Sequence, residues 1–447
     1  MLSWDLKAAE QDVPRKLSSP LDRRRNSSSP NLPDDSWLMQ KIANTLVITK
    51  TGEDIEKLRR NPFSPFHSIK SFEALNLKPQ LLRGVYEMGF TVPSRIQETA
   101  IPILLQDPPQ NMIAQSQSGT GKTAAFVLAM LSRVDSSRPY PQVVCLAPTY
   151  ELAIQIGEVA AKIGQFCEGI TFKFAVRGEY GNEPHKNKIT EHVIIGTPDK
   201  VLDWANKILE LKHIKVFVMD EADLVISARG HQEESFLIRR HLPPDCQIMF
   251  FSATFNEKIM SVATNLVPNA SLIRIKREEE ALDHIKQYYV LCEHKTAKYT
   301  AAICLYNALD TGRAIIFCQG RKTSNWLAKQ MMEDGCSVFL LSGDFSVQHR
   351  LNVLDKFREG KGKMLITTSV LARGIDIEDV TIAVNFDLPL DARRKTDCQT
   401  YLHRIGRTGR FGNNGLAISF VSSQEANDNI PQIRDRFGSE IIAILSE

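Results

Sequence analysis

Twice along this chain, short and wholly apolar runs alternate with longer segments of helical character. The first series is NMIAQ, VVCLAP, FKFAV, HVIIGT, VFVMD and QIMFFSA; the second is YYVLC, AIIFCQ, VFLLSG, KMLITTS, IAVNFD and LAISFV. A strand with one wet face alternates apolar and polar side chains. These runs do not alternate, so each must be covered on both faces, as in a parallel sheet wrapped by helices. The predicted fold class is therefore α/β, with two tandem doubly wound parallel-sheet domains.

The charged segment IKREEEALDH (275–284) separates the two series and reads as a linker. Residues 1–35 hold four prolines, six serines and the run RRRNSSSP, with six basic and six acidic residues that cancel. Such a segment buries too little surface to offset its ordering entropy, so a disordered tail is expected. WLMQKIANTLV (37–47) then places Trp37, Leu38, Ile42, Leu46 and Val47 on one face of a predicted amphipathic helix. The expected division is an extension at 1–61, a first domain at 62–276, a linker at 277–284 and a second domain at 285–447. A chain of 447 residues is long enough for that count.

The net charge is only +3, from 55 basic and 52 acidic side chains. A polyanionic partner would have to be held by a local groove, since no global field attracts it. The eight cysteines are scattered and never form CxxC, which argues for buried reduced thiols rather than a disulfide framework or a zinc ribbon. No apolar run approaches the ~18 residues of a membrane span, and the N-terminus lacks the basic-then-apolar order of a secretory leader. The expectation is a soluble intracellular monomer with no membrane insertion.

SQSGTGKT (116–123) follows one of the apolar strands and precedes the helical TAAFVLAML. This is the P-loop pattern, with Ser116 at the position of the usual first glycine. Gly119 and Gly121 let the backbone N–H groups of Gln117, Ser118, Gly119, Thr120 and Gly121 close around a diphosphate at a helix N-terminus. Lys122 would reach the β- and γ-phosphates, and the Thr123 hydroxyl would ligate Mg²⁺. About a hundred residues on, MDEADLV (219–225) sets three carboxylates directly after a buried strand. That is costly unless a cation lies there. As a Walker-B pair, Asp220 would hold Mg²⁺ and Glu221 would activate the attacking water. HRIGRTGRFG (403–412) concentrates Arg404, Arg407 and Arg410 beside His403. By itself it fits a solvated face, a grip on nucleic-acid phosphate, or a site for a smaller anion.

DEAD at 220–223, SAT at 252–254 and HRIGRTGR at 403–410, in this order after the P-loop, resemble the DEAD-box family of ATP-dependent RNA helicases. The likeness runs from residue 72 to about 425. It implies two RecA-like lobes, with ATP and Mg²⁺ as cofactors. Phe90 resembles the family's adenine-stacking aromatic, Gln97 its adenine-reading glutamine, and Asp376 its ribose contact. Ser252 and Thr254 match the hydroxyls that bond toward Asp223 and couple the nucleotide site to lobe closure. Arg407 and Arg410 match arginine fingers supplied across the cleft, with His403 and Arg404 bracing it or bridging toward Ser252 and Thr254. Pro148, Thr149, Gly178, Thr197, Arg321, Gly343 and Thr367 are carried over as sequence-independent RNA contacts. The chain departs from the family pattern at Tyr150, where arginine is usual, at Arg177 and Asp199, where glycines are usual, and at Ser369, where aspartate is usual.

PFSPFHSIKSFEALNLKPQLLRGVYEMGF and FCQGRKTSNWLA are most similar to the subgroup acting in mRNA export at the nuclear pore. That resemblance implies a cytoplasmic and nuclear location and two partners, a nucleoporin and an activator working with inositol hexakisphosphate. It also implies that the 37–47 helix can sit between the lobes; a helix packed permanently on the first lobe is the alternative. Two other readings of the whole stay open: an ATP-gated RNA clamp that hydrolyses slowly, and a GTP-using switch, which the absence of any NKxD motif disfavours.

Overall fold

The structure, a computed structural model, describes residues 71–116, 119–177, 188–227, 231–274, 285–309, 312–369, 380–391, 394–409 and 415–444. The extension 1–61 with its expected helix, the linker 277–284, and Gln117, Ser118, Gly178, Asp376 and Arg410 lie outside the described residues.

The first lobe carries β1 (Met112–Gln115), β2 (Val143–Leu146), β3 (Phe172–Ala175), β4 (Val193–Gly196), β5 (Val216–Met219), β6 (Gln247–Ser252) and β7 (Ser271–Arg274). All pairings are parallel, in the order β3-β4-β2-β5-β6-β1-β7. The central strands are mostly apolar because helices cover both faces of the sheet. Met112, Val143, Cys145, Val193, Val218 and Phe251 join one hydrophobic cluster, while their neighbours Ile113, Val144, Ile194, Phe217 and Phe250 join the other.

The second lobe carries β8 (Ile285–Leu291), β9 (Arg313–Cys318), β10 (Val338–Leu341), β11 (Met364–Thr368), β12 (Val380–Asn385), β13 (Gly415–Val421) and β14 (Ile441–Ile444). Its seven strands are again parallel, ordered β10-β11-β9-β12-β13-β8-β14. Two strands were not expected from the sequence, β7 and β14, and both lie at the edge beside the first strand of their sheet. Ser271–Arg274 alternates half-buried and exposed, so the unbroken apolar signal of a central strand is missing there.

Five cysteines, at 145, 246, 292, 304 and 318, are buried, and the other three are half-buried. Among the described residues, no helix is long and apolar enough to cross a membrane.

The lobes touch directly. Val347 and Leu351, one turn apart on the second-lobe helix Val347–Arg358, pack against a first-lobe cluster. Beside them Arg350 Nε lies 2.8 Å from Glu151 Oε1, a mostly buried ion pair whose N–H does not point along the contact. Burial raises the Glu151 carboxyl above its ordinary value, with Arg350 opposing.

Candidate active site

The phosphate-loop segment begins where β1 ends. The Ser116 N–H donates to the Ser252 carbonyl (3.0 Å), and the Ser116 and Thr120 hydroxyls share a 2.6 Å bond. Gly119 and Gly121 adopt φ of 79° and 91°, a region that costs any other L-residue. A side chain at Gly121 would also strike Gln97, its Cβ lying 2.5 Å from Nε2. Lys122 and Thr123 open the helix Lys122–Arg133; Lys122 is buried, and its ammonium donates to the Ser116 carbonyl at 2.7 Å.

Gln97 closes the loop from behind. Ser94 caps the helix Arg95–Leu104 in a capping box: the Gln97 side-chain oxygen accepts from the Ser94 N–H, and the Gln97 N–H bonds the Ser94 hydroxyl. The Gln97 amide nitrogen donates to the Gly121 carbonyl at 3.1 Å. Both ends of the amide thus serve the protein, leaving one N–H and one lone pair over. Phe90 is half-buried against the same core.

Asp220, Glu221 and Asp223 follow β5 and are all buried. Burial, then the adjacent Glu221 charge, push the Asp220 carboxyl up, and the Lys122 ammonium pulls it part of the way back. Glu221 sits at φ 46°, a left-handed position that a non-glycine residue holds only under constraint, and its Oε2 has no hydrogen-bond partner. Asp223 is the opposite case. Its oxygens accept from the Ser252 and Thr254 hydroxyls, each at 2.7 Å. Burial alone would raise it, but His403 and these two hydroxyls outweigh that and hold it well below the carboxylate range.

His403 comes from the other lobe, on the helix Cys398–Ile405. Its Nε2 lies 3.3 Å from Thr254 Oγ1 and 3.4 Å from Asp223 Oδ2, and its Nδ1 lies 3.9 Å from Glu221 Oε2. Nearby, Asn256 Nδ2 reaches the side-chain oxygen of Gln399 at 3.4 Å. Arg407 is buried just past the helix, and its Nε donates to the His403 carbonyl at 3.0 Å. Arg404 ties together its own lobe, donating to Ser369 Oγ (2.9 Å), Asn385 Oδ1 (3.1 Å) and the Asp387 carbonyl (2.6 Å). The serine that replaces the usual aspartate thus keeps a partner for this guanidinium.

Glu221, Asp223 and His403 bring donor atoms within 4.8 Å of one another. Both oxygens of Asp223 already accept a hydroxyl, however, and imidazole is a poor ligand for a hard cation. The oxygen donors of Asp220, beside a buried unpartnered carboxylate oxygen, fit Mg²⁺ better.

Among the described residues, those expected to contact RNA fall after β2 and β4 of the first sheet and after β9 and β10 of the second, with Thr367 inside β11. Pro148 and Thr149 come after β2 and Thr197 after β4; Arg321 comes after β9 and Gly343 after β10. Thr149 accepts the Leu152 N–H as a helix cap, and Arg321 pairs with Asp344 at 2.6 Å. Thr367 is fully buried within β11, and its hydroxyl donates to the Leu341 carbonyl. Sequence reasoning missed the Glu151–Arg350 pair and the Val347–Leu351 contact, because the only trace of them in the chain is an ordinary amphipathic helix.

Two families match the chain, the DEAD/DEAH box helicases at residues 94–262 and the helicase conserved C-terminal domain at 297–412. The human ATP-dependent RNA helicase DDX19A is 51% identical over 406 residues, covering 90% of this chain and 84% of that protein. The structure of S. cerevisiae Dbp5 bound to RNA and ADP BeF3 is 45% identical, with a TM-score of 0.80 over 84% of this chain and 95% of that one. A point variant of the same Dbp5, bound to Nup159, a Gle1 variant, IP6 and ADP, is 42% identical and superposes with a TM-score of 0.61 over 82% and 95%. The fold is that of two tandem RecA-like domains, and this chain belongs to the DEAD-box family of ATP-dependent RNA helicases.

Proposed function

We infer that the arrangement described is the closed, hydrolysis-competent state of a ribonucleoprotein-remodelling helicase. One observation carries this reading: His403 of the second lobe stands within hydrogen-bonding or ion-pair distance of Thr254, Asp223 and Glu221 of the first. The higher TM-score against the RNA- and ADP BeF3-bound relative supports it.

The residues divide the work as follows. Lys122 and the N-terminus of its helix hold the phosphates of ATP, with Gln97 fixing the loop and Phe90 flanking the base. Asp220 and Thr123 hold Mg²⁺, which neutralises phosphate charge when bound. Glu221 takes the proton of the attacking water: a buried carboxylate oxygen that accepts no hydrogen bond, on a strained backbone, is prepared to accept one. Arg407 and Arg410 supply positive charge from the second lobe, so the site is complete only on closure. Asp223, Ser252, Thr254 and His403 report closure to the carboxylates, and Arg404 holds the second-lobe side rigid. RNA lies across Pro148, Thr149, Gly178, Thr197, Arg321 and Gly343, met at phosphate and 2′-hydroxyl rather than at bases.

The division at 1–61, 62–276, 277–284 and 285–447 follows, with the linker allowing the lobes to part after hydrolysis. The cellular role is mRNA export, in cytoplasm and nucleus at the pore. The partners are a nucleoporin and an inositol-hexakisphosphate-dependent activator, of the kind bound to the Dbp5 relative together with IP6. Steady-state ATP turnover with and without RNA tests the reading, with Glu221→Gln as the inactive control. Turnover that RNA leaves unchanged would sink it.

A further inference from the structure

At the end of β4 the chain makes a close approach that only glycine permits: a Cβ on Gly196 would lie 2.2 Å from the Ala175 carbonyl of β3. The Thr197 N–H then donates to that carbonyl at 3.1 Å, bringing the residues that follow β3 and β4 together. Thr197 precedes the helix Pro198–Ala205, but its hydroxyl does not cap it. Instead it donates to Asp199 Oδ1 at 2.6 Å, while the Arg177 guanidinium donates to Asp199 Oδ2 at 2.9 Å. A hydroxyl and a guanidinium, one on each oxygen, are the donors a phosphate would take. Burial favours a neutral Asp199, yet the Thr197 bond, the Arg177 charge and the nearby His231 outweigh it and keep the carboxyl below its ordinary value. A further cation near this strand end among the described residues, Lys200, faces Asp203 at 3.9 Å.

We propose that Asp199 is a built-in competitor for RNA phosphate, its carboxylate occupying the Thr197 and Arg177 donors until RNA displaces it. The proposal rests on the reading that the β2–β4 side of the first lobe carries RNA. Its consequence is a lowered affinity for RNA, because each binding event must break the Asp199 contacts and set a carboxylate beside a phosphate. Asp199 thereby tunes how readily this chain lets go of its substrate.

The test is binding of a fluorescent short oligouridylate to the full chain with ADP and beryllium fluoride, across a salt series. Wild type is compared with Asp199→Asn, Asp199→Gly and the double variant Asp199→Asn/Arg177→Ala. Both single variants are expected to bind about three- to ten-fold more tightly, with the slope of log K against log salt steeper by roughly 0.7, the increment for one further phosphate neutralised on a single strand. The double variant returns both quantities toward wild type, since the gain is the freed guanidinium. If Asp199 only braces the helix start, Asn preserves the brace and binding is unchanged or weaker, which overturns the proposal while leaving RNA binding by the wild type intact. Failure of wild type and variants alike to bind RNA removes the RNA reading itself, and the proposal with it.

Discussion

The second sheet repeats the first strand for strand: β10-β11-β9-β12-β13-β8-β14 has the connectivity of β3-β4-β2-β5-β6-β1-β7. The chemistry on the two scaffolds is nevertheless opposite. After its first strand one lobe has the glycine loop SQSGTGKT; the other, after β8, runs CEHK straight into the helix Lys295–Ala308. After its fifth strand one lobe presents buried carboxylates, whereas the other leads to the helix of His403, Arg404 and the following Arg407. Equivalent topological positions therefore carry opposite charges, and closure brings them together. A shared fold sets where loops converge, at the carboxyl ends of the strands, while the side chains on those loops set what each lobe contributes.

If the second lobe supplies chemistry rather than a lid, removing its cation should have the largest effect. Arg407→Ala is expected to cut RNA-stimulated turnover about 10³-fold or more while leaving ATP binding to the isolated nucleotide site little changed. Single-turnover hydrolysis alongside nucleotide titration separates the two, and equal losses in both would mean that Arg407 serves binding. The first lobe's counterpart comes next. Glu221→Gln should slow the chemical step by about 10²- to 10³-fold and trap the RNA-bound closed state, visible as slow RNA release; rapid release with normal turnover would remove Glu221 from the base role.

A smaller effect is expected where the lobes only communicate. His403→Ala should lower RNA-stimulated turnover by about ten- to a hundred-fold yet spare the basal rate, because its contacts with Asp223 and Thr254 cross from one lobe to the other. The smallest concerns the contact farthest from the nucleotide residues in its chemistry. Arg350→Ala strands the buried Glu151 carboxylate and is expected to raise the RNA concentration needed for half-maximal stimulation about ten-fold, with the rate at saturation nearly kept. Glu151→Gln with Arg350→Met should restore part of that loss; no rescue would show that the charge pair itself, rather than the cost of stranding one partner, holds the lobes.

Much of each lobe was legible because the information is local. Central strands are covered on both faces, so VVCL or VFVM carries an unbroken apolar run that reveals its place. The P-loop needs positive φ at Gly119 and Gly121 followed by a lysine, and that requirement is written in consecutive residues. Edge strands escape the same reading: SLIR of β7 alternates half-buried and exposed residues and carries no continuous signal, while β14, although apolar as IIAI, is only four residues long and leaves Ile442 exposed. Nor does TTS by itself reveal that Thr367 is buried, since that depends on the neighbouring strands and helices that cover β11.

By itself, then, the sequence determined two parallel α/β domains, the phosphate loop, the carboxylate cluster and the basic segment of the second lobe, all features set by neighbouring residues. Tertiary structure alone decided which of these meet. His403 and Asp223 are 180 residues apart in sequence, and Arg350 meets Glu151 across the lobe boundary. It also decided that Asp199 would fold back onto Thr197 and Arg177. Contacts between distant segments leave no periodicity in either segment, because their geometry comes from the packing of whole sheets and lobes rather than from local backbone preference.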